Sequence, residues 1–151
     1  NIAIQVYRKD ESHMALSDRD LDNFLNQTHV AVISTLDADN RPRSAPIWYQ
    51  WEDGAAYLFT DRRTLKWRNI QRYPYVSLCV DWRQPPYKSA IIEGKAEEVN
   101  RNLYELVLSM SLRYYGKHKG ESFAESYRDK LDDVVTFRIV PDRITSFKSE
   151  D

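Results

Sequence analysis

The sequence predicts a mainly β fold of the α+β class, an antiparallel barrel with peripheral helices, and two observations favour it. First, seven segments rich in β-branched and aromatic residues follow one another, most of them separated by short turns. Second, helical periodicity is limited to a few short segments. The chain therefore lacks the regular alternation of strand and helix that a doubly wound parallel sheet requires.

Length and composition predict a single globular domain over residues 1–151, in which residues 1–14 form either an edge strand or a loose arm. Of the 151 residues, 42% are hydrophobic and 30% are charged, which is typical of a protein with one buried core. The sequence has neither an apolar run of about 20 residues nor the pattern of a signal peptide. We therefore expect a cytoplasmic protein without a membrane segment.

The first half of the chain contains two short helices and three strands. Ser17 and Asp20 form a weak capping box before the first helix, and Asp53-Gly54 is the strongest hairpin turn in the sequence. Thr64 is the natural N-cap of the second helix. In chain order, the predicted elements are a helix at 18–26, strands at 30–36, 44–51 and 55–60, and a helix at 64–72.

The second half continues with strands around two further helical segments. Gly94 lies inside the longest predicted strand and suggests a β-bulge. Asn100 can cap a helix that shows regular apolar spacing from Leu103 and ends near Gly116. In chain order, the predicted elements are strands at 75–82 and 89–99, a helix at 100–116, a polar helical stretch at 122–131, and strands at 134–140 and 144–148.

Positive charge is concentrated in the middle of the chain. From Arg41 to Lys88 the sequence has nine cations and four anions, a surplus of five, whereas the rest of the chain carries a net charge of minus six. A local basic field in a nearly neutral protein favours an anionic ligand of limited size, with a solvated surface stripe as the alternative. The overall balance of 22 Lys and Arg against 23 Asp and Glu disfavours a nucleic-acid partner.

The helix that begins after Thr64 is the strongest candidate for an anion site. Lys66 lies in its first turn, and Arg62 and Arg63 directly precede the cap. A helix N-terminus already carries about half a positive charge, so cations there are unfavourable unless an anion such as phosphate binds beside them. The alternative is that these long side chains turn away into water.

Other candidates lie on the predicted strands. Arg43, Thr60, Lys88 and Ser89 occupy strand ends, which converge in a barrel. Trp48 lies on a strand rich in aromatic residues and is a candidate surface for a ring system, although core packing is the commoner role of such residues.

The sequence carries no motif of a protein-based nucleophile or metal centre. It has no P-loop, no G-x-S-x-G and no H-E-x-x-H, and Cys79 lies within an apolar strand. The three histidines show no metal-ligand spacing, so we expect no zinc site. If the protein is an enzyme, the reactive atom belongs to a cofactor.

From about residue 24 to residue 99, the sequence resembles the pyridoxamine 5'-phosphate oxidase-like family of flavin-binding split barrels. The resemblance rests on three segments, VAVISTLDADNRPRSAPIWY, YLFTDRRTLKWRNIQRYPYVSLCV and SAIIEGKAEEV. The middle segment is the most specific, with its T-x-x-x-T-x-K-x-x-N-I pattern and the following P-x-V-S-L.

The resemblance implies a six-stranded antiparallel split barrel, a homodimer, and a cofactor bound in the cleft between the subunits. Family members hold flavin mononucleotide (FMN) or a deazaflavin, coenzyme F-420. The residues that the family pattern implies for cofactor binding are Arg43, Thr60, Thr64, Lys66, Lys88 and Ser89. Ser44 and Trp48 complete the set of candidate cofactor-binding residues. Leu65 replaces an arginine that precedes this lysine in the vitamin-synthesising oxidases, which disfavours pyridoxamine phosphate as the substrate.

These observations together predict a flavin-dependent oxidoreductase that transfers hydride between bound FMN and an unknown small-molecule substrate. A deazaflavin-dependent reductase is one alternative, in which Arg62, Arg63 or Arg68 would contact the longer anionic tail. A non-catalytic flavin- or haem-binding module is another. A small barrel that binds single-stranded nucleic acid is the least favoured, because the overall charge is slightly negative.

Overall fold

The computed structural model describes residues 5–7 and 14–150 of the chain. The elements, in order, are β1 Gln5–Tyr7, α1 Asp18–Leu25, β2 Val30–Leu36, β3 Pro42–Trp48, β4 Gln50–Glu52, β5 Ala55–Asp61, α2 Leu65–Arg72, β6 Tyr75–Trp82, β7 Lys88–Glu98, α3 Leu103–Tyr115, α4 Lys117–Glu125 and β8 Val134–Lys148. No helix within the described ranges is both long and apolar enough to span a membrane.

One curled sheet organises these elements, and the predicted mainly β α+β class is confirmed. Seven strands form a continuous path in the order β3-β2-β6-β7-β8-β5-β4, and every pairing along it is antiparallel. The six strands that the family resemblance implied are wrong, since this path has seven. Of the segments predicted from residue patterns, the one at 44–51 divides into β3 and β4 on either side of Tyr49.

The N-terminal prediction is answered only in part. Gln5–Tyr7 pairs in parallel with residues 143–145 of β8, so this short piece is an edge strand. The remainder of the predicted arm, residues 1–4 and 8–13, lies outside the described residues.

The two ends of the sheet path are joined by a single residue. β3 is one terminal strand, β4 is the other, and only Tyr49 separates them in the chain. Tyr49 is 2% exposed, and its hydroxyl donates a hydrogen bond of 2.9 Å to the carbonyl of Leu25. The sheet must therefore curl until its two ends lie side by side. β3 then lies near β5, and among the described residues no hydrogen-bonded ladder joins these two strands.

The predicted bulge at Gly94 is confirmed, and it explains an error at the C-terminus. The register of β7 against β8 shifts between Glu93 and Gly94, and Gly94 lies opposite Pro141. A Cβ at Gly94 would come within 2.1 Å of the Val140 carbonyl oxygen, so only glycine permits this close approach. Because the bulge accommodates a proline without an N–H, residues 134–148 form one strand and not the two that the sequence predicted.

The first two helices start where the sequence predicts, and the last two do not. Ser17 caps α1 and Thr64 caps α2, as predicted. The prediction that Asn100 caps α3 is wrong, since the side chain of Asn102 accepts the capping bond from the Glu105 N–H. The helical stretch predicted at 122–131 is displaced, because α4 starts at Lys117, with only Gly116 between it and the end of α3.

Two hydrophobic clusters fix the arrangement of these elements. The larger fills the curled sheet and includes the fully buried side chains of Ile33, Leu58, Leu78 and Ile92. The smaller lies between the α3–α4 pair and the outer side of β5 and β8, around Val107. Helices α3 and α4 therefore cover one part of the outer sheet surface.

Substituting Gly94 with alanine tests the bulge. The added methyl group would overlap backbone atoms of β8 that cannot move without disturbing the ladder, so we expect Gly94→Ala to lower the free energy of unfolding by about 3 kcal/mol. Urea denaturation measures this, with Lys95→Ala on the exposed neighbouring residue as the control, expected to change stability by less than about 0.5 kcal/mol. Equal effects of the two substitutions would contradict the assigned role of Gly94.

Candidate functional site

A cavity of about 250 Å³ lies where the start of α2 meets the hairpin of β2 and β3. We call it the Lys66 cavity, and its lining residues are Ile33, Thr35, Arg43, Ser44, Ala45, Thr64, Leu65 and Lys66. Four of the eight residues predicted from the sequence thus line one cavity, although they come from segments about 20 residues apart in the chain.

Thr64 orients the end of α2 at this cavity. Its hydroxyl donates to the Asp61 carbonyl at 2.8 Å and accepts from the Trp67 N–H at 3.4 Å. The buried hydroxyl of Thr60 lies 3.4 Å from that of Thr64, which brings the end of β5 to the same point. The first turn of α2 contains no acidic residue, so its free N–H groups and partial positive charge are not balanced from within the helix.

Lys66 is the cation at this helix end that has no counter-charge. Its side chain is half-buried, and no carboxylate of the described residues lies within ion-pair distance of it. Burial lowers the pKa of Lys66, and desolvation is the sole cause of that shift. The cavity wall therefore holds an ammonium group whose electrostatic environment would improve if an anion bound beside it.

Arg43 reaches the same cavity from β3 and is held by Asp37. The Asp37 carboxylate accepts from the Arg43 Nε at 2.9 Å and from the backbone N–H groups of Asp39 and Arg41, each at 2.9 Å. These three bonds close the β2–β3 turn and lower the pKa of Asp37, with the Arg41 N–H as the largest cause. Because only Nε is used, the two terminal nitrogens of Arg43 are free of bonds to the described residues.

Sequence reasoning missed Asp37 and Thr35. Thr35 is 3% exposed, lines the cavity, and accepts a hydrogen bond of 3.1 Å from the equally buried Asn69 amide. That bond ties α2 to β2 beneath the cavity. The aspartate at the start of the DADNR turn was a usable signal, because such a side chain commonly bonds the backbone two residues on. Thr35 had no signal beyond its β-branched type.

The structure separates Arg62 and Arg63 from the Lys66 cavity. Arg62 pairs with Glu98 through one terminal nitrogen, and Arg63 binds both carboxylate oxygens of Asp61, at 3.0 and 2.8 Å. These contacts raise the pKa of each arginine, with the hydrogen bond to the carboxylate as the first cause. The expectation that the three cations act together is therefore wrong for these two, whose charge is already neutralised.

Trp48 lies beside a second cavity of about 250 Å³, which we call the Trp48 cavity. Its lining residues are Val30, Pro46, Ile47, Trp48, Phe59 and Phe123. Residues 43–45 of β3 line the Lys66 cavity and residues 46–48 line the Trp48 cavity, so the two follow one another along a single strand.

Lys88 and Ser89 lie elsewhere. Lys88 lines a third cavity, of about 410 Å³, together with Trp82 and Phe24, and Ser89 lies opposite Phe147 on the outer side of β7. Neither residue lines the Lys66 cavity within one chain.

The sequence matches the family model described as pyridoxamine 5'-phosphate oxidase over residues 17–148, which includes every residue of both cavities on β3. The chain belongs to this family.

Among curated relatives, a pyridoxine/pyridoxamine 5'-phosphate oxidase of Anaplasma phagocytophilum is 37% identical over 67 residues, which are 44% of this chain and 32% of the relative. One of Streptomyces avermitilis is 31% identical over 77 residues, 50% and 34% of the two chains. The matched region spans about a third of the length of these relatives.

Solved structures agree with the architecture. A conserved hypothetical protein of Mycobacterium tuberculosis superposes with a TM-score of 0.79 at 24% identity, covering 93% of this chain and 90% of that one. An F-420 reductase gives 0.65 at 19% identity, covering 82% and 94%. The haem storage protein of Vibrio cholerae gives 0.64 at 17% identity, covering 87% and 94%. At these identities the likeness shows the fold alone.

Replacing Asp37 by asparagine tests whether its carboxylate holds the turn. A carboxyl group with a lowered pKa in the folded state stabilises the fold above its ordinary pKa of 3.8, and this contribution is lost as the pH falls through the lowered folded value. Thermal unfolding should therefore show Asp37→Asn to be less stable than the wild type at pH 6. The difference should shrink progressively below about pH 4.

Asp39→Asn, on an exposed residue of the same turn, is the control and should leave this pH dependence intact. A stability difference between the wild type and Asp37→Asn that stays constant from pH 6 to pH 2 would contradict the role given to the Asp37 carboxylate.

Proposed function

We propose that this chain is a flavin-dependent oxidoreductase that binds the phosphate of FMN in the Lys66 cavity. The observation that carries the proposal is the half-buried Lys66, which has no carboxylate partner among the described residues and lines the same cavity as Arg43, next to the cap of α2. A helix N-terminus with neighbouring cations is a general solution for phosphate binding. Family membership supports the same ligand independently of these charges.

The residues present suit a phosphate group well. Lys66 and the free nitrogens of Arg43 provide charge, Ser44 provides a hydroxyl, and the first turn of α2 provides N–H donors. Leu65, 42% exposed, contributes an apolar surface to one side. A bound flavin would supply hydride-transfer chemistry. The chain's own contribution would be to bind and orient it, since no Asp, Glu, His or Cys lines either cavity on β3.

FMN is favoured over the deazaflavin by the ion pairs next to the cavity. A longer anionic tail would need cations beyond those that hold the first phosphate, and Arg62 and Arg63 are already neutralised by Glu98 and Asp61. Arg68 is exposed and belongs to α2, but it does not line the cavity. Titrations of the ligand-free protein with each cofactor would rank them, and tight binding of the deazaflavin with no measurable FMN binding would reverse this preference.

Non-catalytic binding of the cofactor is the second candidate. It is favoured by the absence of Asp, Glu, His and Cys from the described residues that line the two cavities on β3. Assays of the FMN complex with a range of reductants and acceptors distinguish the two functions, since a module that only stores or senses flavin would bind FMN without turnover.

We also propose a homodimer in which a second copy covers the outer side of β6 and β7. Cys79 and Ile91 are neighbours across these strands, and Ile91 is 37% exposed. Next to them, Phe147 is 40% exposed and lies opposite Ser89. Such an interface would bury these apolar groups. It would also explain why Ser89, which resembles a cofactor-contact position, lies far from Lys66 in its own chain: it would face the partner's site.

Replacing Lys66 by methionine tests the phosphate site. We expect Lys66→Met to weaken FMN binding by about 1.5–3 kcal/mol, or roughly 10- to 100-fold, because a charge-assisted hydrogen bond is lost. The ligand-free variant should unfold at the same temperature as the wild type or higher. Burial lowers the pKa of Lys66, so its charged form is less favourable in the folded chain than in the unfolded chain. Removing the charge should therefore not destabilise the ligand-free fold.

The matched control is Arg63→Met, which removes the same charge nearby from a side chain that pairs with Asp61 outside the cavity. Fluorescence titration of FMN against both variants separates a direct contact from a general charge effect. If both variants weaken FMN binding equally, or neither does, the assigned site is wrong.

A charge on the outer sheet surface tests the dimer. We expect Ile91→Glu to shift the molar mass from two chains to one, measured by light scattering after gel filtration, because a buried unpaired carboxylate destabilises an interface. Leu131→Glu replaces a 63% exposed leucine elsewhere and should leave the mass unchanged. A wild-type protein that is monomeric at all concentrations would refute the proposed interface.

A further inference from the structure

The Trp48 cavity is bounded by four separate elements. Pro46, Ile47 and Trp48 of β3 line it together with Phe59 of β5 and Phe123 of α4. Val30 of β2 is 52% exposed and lies at the rim. The cavity is therefore open to solvent at one side and walled by aromatic rings at the other.

The aromatic walls are held in place by contacts outside the cavity. The Trp48 ring stacks on Tyr114 with centroids 4.5 Å apart and planes within 5° of parallel. The Tyr114 hydroxyl donates to the His29 carbonyl, which fixes that ring against β2. Phe123 contacts Trp48 and Tyr127 with centroid separations of 5.3 and 5.2 Å. These contacts hold the Trp48 and Phe123 rings side by side, so the aromatic lining is formed before any ligand binds.

The position of α4, which carries Phe123, is fixed by a close helix contact. A Cβ on Gly120 would come within 2.7 Å of the Ser111 carbonyl oxygen, and the Ser111 hydroxyl donates to the Gly120 carbonyl at 2.8 Å. The α3–α4 pair therefore packs tightly, and Phe123 cannot approach Trp48 further without breaking this contact.

The chemistry of the lining defines what the cavity can hold. All six lining side chains are apolar, and none can donate or accept a hydrogen bond except the indole N–H of Trp48. A flavin ring has a polar edge with two carbonyls and an N–H, which would lose its hydrogen bonds here. An apolar cavity of about 150 Å³ accommodates benzene, so 250 Å³ gives room for two fused rings.

We propose that the Trp48 cavity binds the second substrate, an uncharged planar aromatic compound of one or two rings. This inference rests on the proposed function, because it places that compound beside the flavin. Strand residues rise about 3.3 Å each, so Ile47 lies about 10 Å along β3 from Ser44 in the Lys66 cavity. A flavin bound by its phosphate at one end of β3 would then extend toward the other end, where the aromatic substrate binds.

A pair of probes with the same shape and different charge tests the inference. Naphthalene-2-carboxamide is uncharged, and naphthalene-2-carboxylate carries one negative charge at pH 7. Calorimetric titration of the full chain should give a Kd below about 1 mM for the amide, as expected for a fragment of this size, and binding at least ten-fold weaker for the carboxylate. Equal binding of the two probes would overturn the proposal.

Two variants at the rim locate the binding. Val30→Glu places a charge at the mouth on an exposed residue and should weaken amide binding at least ten-fold, whereas Val30→Thr keeps the shape and should change it less than three-fold. Phe123→Leu keeps the cavity apolar but removes one aromatic wall, and should weaken binding several-fold. Molar mass and thermal unfolding of each variant check that fold and assembly are retained, and unchanged amide affinity in both Val30→Glu and Phe123→Leu would refute the site.

FMN titrations of the same variants separate this inference from the proposed function. If FMN binds and the amide binds without displacing it, both hold. If the amide competes with FMN, or Val30→Glu weakens both equally, the cavity holds the flavin ring and the substrate assignment is wrong. If the amide binds at this cavity but FMN does not bind at all, the proposed function fails, and the aromatic site has no flavin beside it.

Discussion

The arrangement of this protein depends on one connection, the single residue Tyr49 between the two terminal strands of the sheet path. A chain that ends β3 at Trp48 and begins β4 at Gln50 forces the two ends of the sheet together, and the buried side chain of Tyr49 is anchored to α1 by its hydroxyl. Because β3 and β5 meet here without a hydrogen-bonded ladder among the described residues, a seam is left between them. Both cavities on β3 border this seam.

Three cations lie near the start of α2, and they differ in whether a carboxylate pairs with them. Arg62 and Arg63 carry the same charge as Lys66 and lie within four residues of it, yet each has a carboxylate partner, and Lys66 has none among the described residues. Exposed pairs of this kind contribute little to stability. A half-buried ammonium without a partner is unfavourable in the free protein, and bound phosphate would remove that penalty.

The parts of the structure that local signals determine were predictable, and those that depend on distant partners were not. The Thr64 cap and the Gly94 bulge follow from residue types at their own positions, and both were found. Arg62 was assigned to the anion site because its partner Glu98 lies 36 residues away and leaves no local trace. The start of α4 was missed for a similar reason, since its position depends on the packing of Gly120 against Ser111. Trp48 was identified as a candidate. That it lines a different cavity from Lys66 depends on the tertiary structure and has no signal in the sequence.

The Lys66 cavity has a polar lining and the Trp48 cavity an apolar one, and the prolines of β3 produce the same difference in the backbone groups. The Asp37 N–H donates to the Arg41 carbonyl, so in the hairpin register the backbone groups of Pro42, Ser44 and Pro46 point away from β2, toward the seam. Proline has no N–H, which protects an edge strand from pairing with another chain. Between the two prolines, Ser44 alone offers a backbone donor on that side, and Ser44 lines the Lys66 cavity. The two prolines that keep β3 unpaired therefore leave a backbone N–H donor at Ser44, at the end of the strand where an anion would bind. They leave no N–H donor at Pro46, where the cavity lining is apolar.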